Sequence, residues 1–210
     1  MFSKNELFSR TPELKDVQLE MARALEYLKD AALSGCKVLC CGNGGSCADS
    51  EHIAGELMKG FLKKRPLDRE ERLLWQNTFG EEGVHEAECL QNGIPCVVLS
   101  SQTALLTAVL NDNDPSMAFA QAAWVTAKEG DVFIGLSTSG NSENVLAAAR
   151  AAKLRGAKII AMTGQRKSKL SELADAAIRV PATETYRVQE YHIQVYHWLC
   201  AALEDALYEE

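Results

Sequence analysis

The 210 residues contain no CxxC pair, no Gly-Lys-Ser/Thr phosphate loop, no GxGxxG fingerprint and no apolar run near the ~20 residues that a membrane-spanning helix needs. The first absence removes thiolate zinc fingers and redox dithiols, the next two remove the common nucleotide folds, and the last leaves no bilayer span. Positive charge is also scarce. With 22 Lys and Arg against 29 Asp and Glu, the net charge is −7, which repels a phosphate backbone and argues against general nucleic-acid binding. The first 20 residues carry charges throughout and lack the apolar core of a signal peptide, so a cytoplasmic location is expected. Seven cysteines, an odd number often set in apolar runs, read as free thiols in a reducing compartment that pack as small hydrophobes.

What is present is a cadence. Short apolar runs recur at 37–45, 94–101, 131–140, 157–164 and 176–182, each leading through a polar or glycine-bearing turn into a helical pattern. Runs that are apolar on both faces belong to a parallel sheet with helices on either side, so the expected fold is α/β with about five strands in a single domain spanning 1–210. A helix is predicted over 12–34, with Thr11 as N-cap, Pro12 at the first position and Gly35 as its stop. A last helix over about 187–208 is apolar on more than one face, which suggests burial against another subunit. The charged stretch 65–93 is too long for an ordinary connection of about 2 to 6 residues and reads as an insertion.

In such sheets ligands bind where strand ends lead into helix N-termini. Two strand ends are suited to it. CGNGGS at 41–46 places Gly44 and Gly45 where backbone must approach a ligand, flanked by the polar Asn43 and Ser46. STSGNS at 137–142 gathers Ser137, Thr138, Ser139 and Ser142 just before a helix, four hydroxyls in six residues, which makes a phosphate cradle. On the helix opened by the glycine loop, His52 and Glu56 stand one turn apart and face the same way, a pair able to hold one metal ion. Gln189 and His197 on the last helix are eight residues apart, about 12 Å along a regular helix. They cannot grip one ion from mid-helix, so either Gln189 leaves the regular path or the two serve different sites across a subunit interface. His192 reads as a buried or interface histidine, and His85 among its glutamates as part of a solvated charged face.

Together CGNGGS, His52 and Glu56, VLND at 109–112, EGDVFIGLSTSGNSENV at 129–145 and RVQEYHIQVYH at 187–197 resemble the SIS (sugar isomerase) domain family and, within it, the phosphoheptose isomerases. The resemblance implies a flavodoxin-like three-layer α/β/α sandwich with a five-stranded parallel sheet, assembled as a homotetramer with active sites at subunit interfaces. It implies conversion of sedoheptulose 7-phosphate to D-glycero-D-manno-heptose 7-phosphate, feeding nucleotide-activated heptose synthesis for lipopolysaccharide or surface glycans. It also implies one zinc ion held by His52, Glu56, Gln189 and His197, and substrate contacts from Asn43, Gly44, Gly45, Glu56, Asn111, Asp112, Ser137, Thr138, Ser139, Ser142 and Gln189. For aldose-ketose chemistry a base must take a carbon-bound proton while an acid serves the carbonyl oxygen; Glu56 is the expected base and His197 the acid. This chain reads LMKGF after Glu56 where members often have Gly-Arg-aromatic, which puts Lys59 forward as a substitute basic contact. Competing readings are a non-enzymatic scaffold resembling the replication-initiator-associating protein DiaA, an isomerase for another phosphosugar, and a sugar-phosphate sensor.

Overall fold

The computed structural model describes residues 5–208. In chain order the elements are α1 (Glu6–Arg10), a 3-10 segment (Pro12–Val17), α2 (Gln18–Leu33), β1 (Val38–Cys41), α3 (Gly45–Met58), α4 (Arg69–Cys89), β2 (Cys96–Val98) and α5 (Thr103–Asp112). They continue with α6 (Ala118–Thr126), β3 (Val132–Leu136), α7 (Glu143–Leu154), β4 (Lys158–Thr163), α8 (Lys169–Leu173), β5 (Ala176–Arg179) and α9 (Thr185–Leu207). The five strands pair in parallel in the order β2-β1-β3-β4-β5, a flavodoxin-like arrangement whose order reverses between β1 and β3. Strands β1 and β3 are buried along their whole length, which is why they read as continuous apolar runs.

Two apolar clusters cover the sheet's faces. One joins α1, α2, α3 and α9 through Leu14, Met21, Leu28, Ile53, Leu57 and Val195; the other joins α6, α7 and α8 through Phe119, Ala123, Leu146, Ala149 and Leu170. Alanines at 148, 149 and 152 let α7 sit close on the sheet and on α6. Five cysteines are buried among these groups, while Cys47 is partly exposed and Cys89 exposed.

The structure refines the terminal elements. The helix predicted over 12–34 is divided into a 3-10 stretch and α2, and Thr11 does not cap it. The Thr11 hydroxyl instead donates to Gln194 Oε1 at 2.6 Å, tying the chain's start to α9. Helix α9 spends its extra apolar faces within the chain, packed against α2 and α3, and Ile193 is among the few of its large apolar side chains left exposed.

The charged stretch 65–93 contains a helical hairpin. Asp68 starts α4 with a reciprocal capping box to Glu71, and Gly80, at φ +64° and ψ −137°, breaks the helix in two. A Cβ at Gly83 would run into the Trp75 carbonyl, so the two halves lie back to back. A bridge between Pro66 and Gln91 and a bond from Asn92 Nδ2 to Glu71 Oε2 (3.0 Å) close its neck. Within it only Gly83 and Ala87 are buried.

Below the neck lies a buried ion pair. Arg65 Nε and Glu204 Oε1 are 2.9 Å apart, with side chains 0% and 1% exposed. Glu204 accepts further bonds from the backbone N–H groups of Phe61, Leu62 and Lys63, while Arg65 donates to the carbonyls of Leu57 and Glu56 and lies over the Tyr208 ring. Burial pushes the Glu204 carboxyl up, but the three N–H donors and the Arg65 charge outweigh it, and its pKa ends below the ordinary value. Glu204→Leu leaves the guanidinium and three N–H groups without their acceptor; we expect a loss of about 3–5 kcal/mol in chemical denaturation. A loss under about 1 kcal/mol would mean that the pair adds no more than an exposed one.

His192 is fully buried on α9, with neither ring nitrogen hydrogen-bonded. Burial depresses its pKa to about 4, the Thr163 backbone only partly opposing the shift. The unfolded chain therefore binds a proton here between pH about 6.5 and about 4 while the folded chain does not, so stability falls as the pH drops through that window. The loss approaches roughly 3 kcal/mol. Denaturation across this range should show a shallower pH slope for His192→Phe than for the wild type; equal slopes would remove His192 as the cause.

Candidate active site

The glycine loop after β1 and the hydroxyl loop after β3 end neighbouring strands on either side of the point where the strand order reverses, the crevice where open α/β sheets bind ligands. The loops are joined by a reciprocal amide pair: Asn43 Nδ2 donates to Asn144 Oδ1 at 2.9 Å and Asn144 Nδ2 to Asn43 Oδ1 at 2.8 Å. Asn144 escaped the sequence reading, since a polar residue in a helix's first turn carries no signal of its partner.

Gly44 takes φ +56° at the entry to α3, a backbone region that favours glycine. At Gly45 a Cβ would stand 2.5 Å from Gln189 Nε2, so the absence of a side chain there lets the Gln189 carboxamide lie against the loop. Ser46 is buried, its carbonyl accepting from Ser50 Oγ. In the second loop, Ser137 and Ser142 share a bond of 2.9 Å, and Gly140 N donates to Ser137 Oγ. Thr138 and Ser139 line a cavity of about 330 Å³ that also receives Arg166, Lys167 and Thr183. These cationic neighbours were missed by the sequence reading; the trace available was the Arg-Lys pair two residues beyond Gly164, at the end of β4.

The second group lies further along α3 and α9. The two helices run side by side in the same direction, since Gly45 meets Gln189 while His52 meets Tyr196 and His197. His52 Nε2 is 3.1 Å from Glu56 Oε1 and 3.5 Å from His197 Nε2. Lys59 Nζ lies 3.7 Å from the other Glu56 oxygen. His197 faces Phe61 and opens on a separate cavity of about 300 Å³ between α1, the loop after α3 and α9. Burial lowers the His197 pKa, the neighbouring His52 adds to this, and Glu56 opposes it. On its other nitrogen, His52 Nδ1 is 2.9 Å from the Tyr196 hydroxyl, which is itself 3.3 Å from Asp49 Oδ1.

The geometry thus brings His52, Glu56 and His197 together and leaves three candidates apart. Gln189 stays with Gly45, two turns before His197 on the regular helix α9. Asn111 and Asp112, at the end of α5, are exposed and their side chains are bonded to each other; among the described residues no side-chain hydrogen bond joins them to the rest. His85 is exposed, with Cys89 Sγ 3.9 Å from its Nε2.

A tetrahedral zinc ion places its ligand atoms about 3.3 Å from each other, and the two approaches around His52 match that spacing with the right donor types, two imidazoles and a carboxylate. The match is pairwise: among the described residues no three His, Cys, Asp or Glu side chains close into one ligand cluster.

Comparison with known proteins places the chain in a family. The SIS domain family model matches residues 109–196. A phosphoheptose isomerase of a Nitratiruptor species is 39% identical over 170 residues, 81% of this chain and 77% of that protein. The chain belongs to the phosphoheptose isomerase family. A further member, from Rhodospirillum rubrum, is 38% identical over 195 residues, 92% of this chain and 89% of its own. The structure of phosphoheptose isomerase GmhA from Neisseria gonorrhoeae superposes with a TM-score of 0.73 at 28% identity, covering 95% of this chain and 94% of that one. Phosphoheptose isomerases are sugar-phosphate isomerases, so the chain is an enzyme of that class.

In this family member the close approach of Gly45 to Gln189 can be tested directly. Gly45→Ala pushes a methyl group against the flexible end of the Gln189 side chain, which can yield, so thermal stability should hardly change. Displacement of the carboxamide should lower kcat/KM for a heptose phosphate roughly 10- to 100-fold. Unchanged kinetics would take Gln189 out of the site.

Proposed function

We propose that the chain interconverts sedoheptulose 7-phosphate and D-glycero-D-manno-heptose 7-phosphate, and that it serves nucleotide-activated heptose synthesis for lipopolysaccharide or surface glycans. The observation that carries the chemistry is the meeting of Glu56 and His197 around His52, on two helices whose N-termini adjoin the hydroxyl loop. The sugar phosphate is read as anchored by Ser137, Thr138, Ser139 and Ser142, with Asn43, Gly44, Gly45, Ser46 and Gln189 along its length. Binding energy from the distant phosphate then orients the reacting carbons.

In the ketose-to-aldose direction Glu56 takes a proton from C1 while His197 delivers one to the O2 carbonyl, giving a cis-enediol. Glu56 returns its proton to C2 as the O1 hydroxyl passes its own proton back to His197, so both residues end as they began. The lowered His197 pKa makes its imidazolium a stronger acid, and Lys59 Nζ stands 3.7 Å from Glu56. His52, Glu56 and His197, with Gln189 as a fourth candidate, are the residues that would hold a zinc ion; such an ion supplies Lewis acidity toward the carbonyl and hydroxyl oxygens. Zinc would make Glu56 a weaker base, and turnover after chelation distinguishes a catalytic metal from a structural one.

The assembly we propose is a homotetramer with sites shared between subunits. The exposed position of Asn111 and Asp112, away from the other candidates within one chain, supports this reading. The proposed workplace is the cytoplasm; none of the described helices is long and apolar enough to cross a membrane.

Glu56→Gln should lower kcat by about 10²- to 10⁴-fold in an NMR assay of sedoheptulose 7-phosphate conversion. Thermal stabilisation by the sugar phosphate should persist, because the hydroxyl loop is untouched. Full activity of the variant would overturn the assignment of Glu56 as base. Failure of the wild type to turn over, with stabilisation retained, would point to another phosphosugar or to a sensor.

A further inference from the structure

Asp49, Tyr196 and His52 form a chain that the reaction scheme above does not use. Tyr196 is almost wholly buried, and its hydroxyl stands between His52 Nδ1, at 2.9 Å, and Asp49 Oδ1, at 3.3 Å. Asp49 Oδ2 is buried without a partner. Because the residues come from α3 and α9, the chain also links the two helices on which the reacting groups stand.

The number of protons in this chain limits its arrangement. A tyrosine hydroxyl donates one hydrogen, and a carboxylate donates none. If the hydroxyl donated to His52 Nδ1, the half-buried Asp49 carboxylate would have no donor on either oxygen, a costly state for a charged group. With the hydroxyl donating to Asp49, the carboxylate is served and the Tyr196 oxygen accepts from His52 Nδ1–H. With Asp49 ionised, the hydrogen-bond requirements of these three groups agree only in that direction.

We propose that Asp49 and Tyr196 are positioning residues that hold neutral His52 in its Nδ1–H tautomer, leaving the Nε2 lone pair aimed at Glu56 and His197. His52 Nε2 then stands 3.1 Å from the Glu56 oxygen and 3.5 Å from His197 Nε2. With the His52 proton on Nδ1, Nε2 and the Glu56 carboxylate are both acceptors, and at 3.1 Å they repel unless a cation lies between them. The arrangement therefore prepares His52 as a ligand through Nε2, in the way that an outer carboxylate fixes the tautomer of a metal-binding imidazole. The metal part of this inference rests on the zinc reading given above; the tautomer part does not.

The test uses ¹⁵N-histidine-labelled, metal-free protein, recorded above the titration range of the imidazoles, with the His52 signals assigned by their loss in His52→Gln. The wild type should show the proton of His52 on Nδ1. Tyr196→Phe removes the acceptor and should move the proton toward Nε2. Asp49→Asn offers an amide N–H to the Tyr196 oxygen, frees the hydroxyl hydrogen for His52 Nδ1 and should shift the tautomer the same way, which keeps the test open if either variant fails to fold. Zinc affinity, measured by competition with a chromophoric chelator, should fall about 10- to 100-fold in both variants. A wild-type proton on Nε2, or an unchanged tautomer in the folded variants, overturns the inference. A wild type with the Nδ1–H tautomer but no zinc binding upholds the positioning role and overturns the zinc reading instead.

Discussion

The geometry of the site depends on the buried contact between Arg65 and Glu204. Two opposite charges withdrawn from water are stable only when all their hydrogen-bonding capacity is used, and here it is used on backbone. Glu204 gathers the N–H groups of three successive residues after α3, and Arg65 takes the last carbonyls of α3 itself, including that of Glu56. The end of α3 is thereby fixed to α9. Since Glu56 stands on the last turns of α3 and His197 two turns before Glu204 on α9, the spacing of the proposed acid and base is inherited from a contact that touches neither side chain directly.

The parallel course of α3 and α9 has a second effect. Contacts between them keep nearly one register, from Gly45 against Gln189 to His52 against Tyr196 and His197. The helix N-termini, with their free N–H groups, face the strand ends where phosphate is expected, and the ionisable groups follow about two turns along. A single pair of helices thus orders the proposed anion-binding end and the proposed proton-transfer zone along one axis.

Much of the fold was legible in the sequence because its physics is local or periodic. Five parallel strands leave five apolar runs, and a tight entry to α3 leaves glycines. His52 and Glu56 were legible as a pair because helical spacing alone brings them together. What escaped is what spans the chain. Arg65 and Glu204 lie 139 positions apart, Asn43 and Asn144 101, and His52 and Tyr196 144; no spacing rule connects such residues. Tyr196 stands in the sequence only as a polar neighbour of His197 in YRVQEYHIQVYHW, since its hydroxyl gains meaning only from Asp49 across the packing interface. Thr11 likewise fitted the rule for an N-cap, but its hydroxyl found a stronger partner in Gln194.

The neck of the α4 hairpin separates two mechanical regimes. Gln91 Oε1 accepts from the backbone N–H groups of both Gly60 and Arg65, and Pro66 pairs with Gln91, so the strut carrying the ion pair is closed before the hairpin departs. A chain entering and leaving through adjacent, already fixed points adds little closure entropy, however long its excursion. Natural variation can therefore lengthen, shorten or reshape the protrusion while the spacing between α3 and α9 stays constant, making this the place where the molecule can acquire new surface without retuning its chemistry.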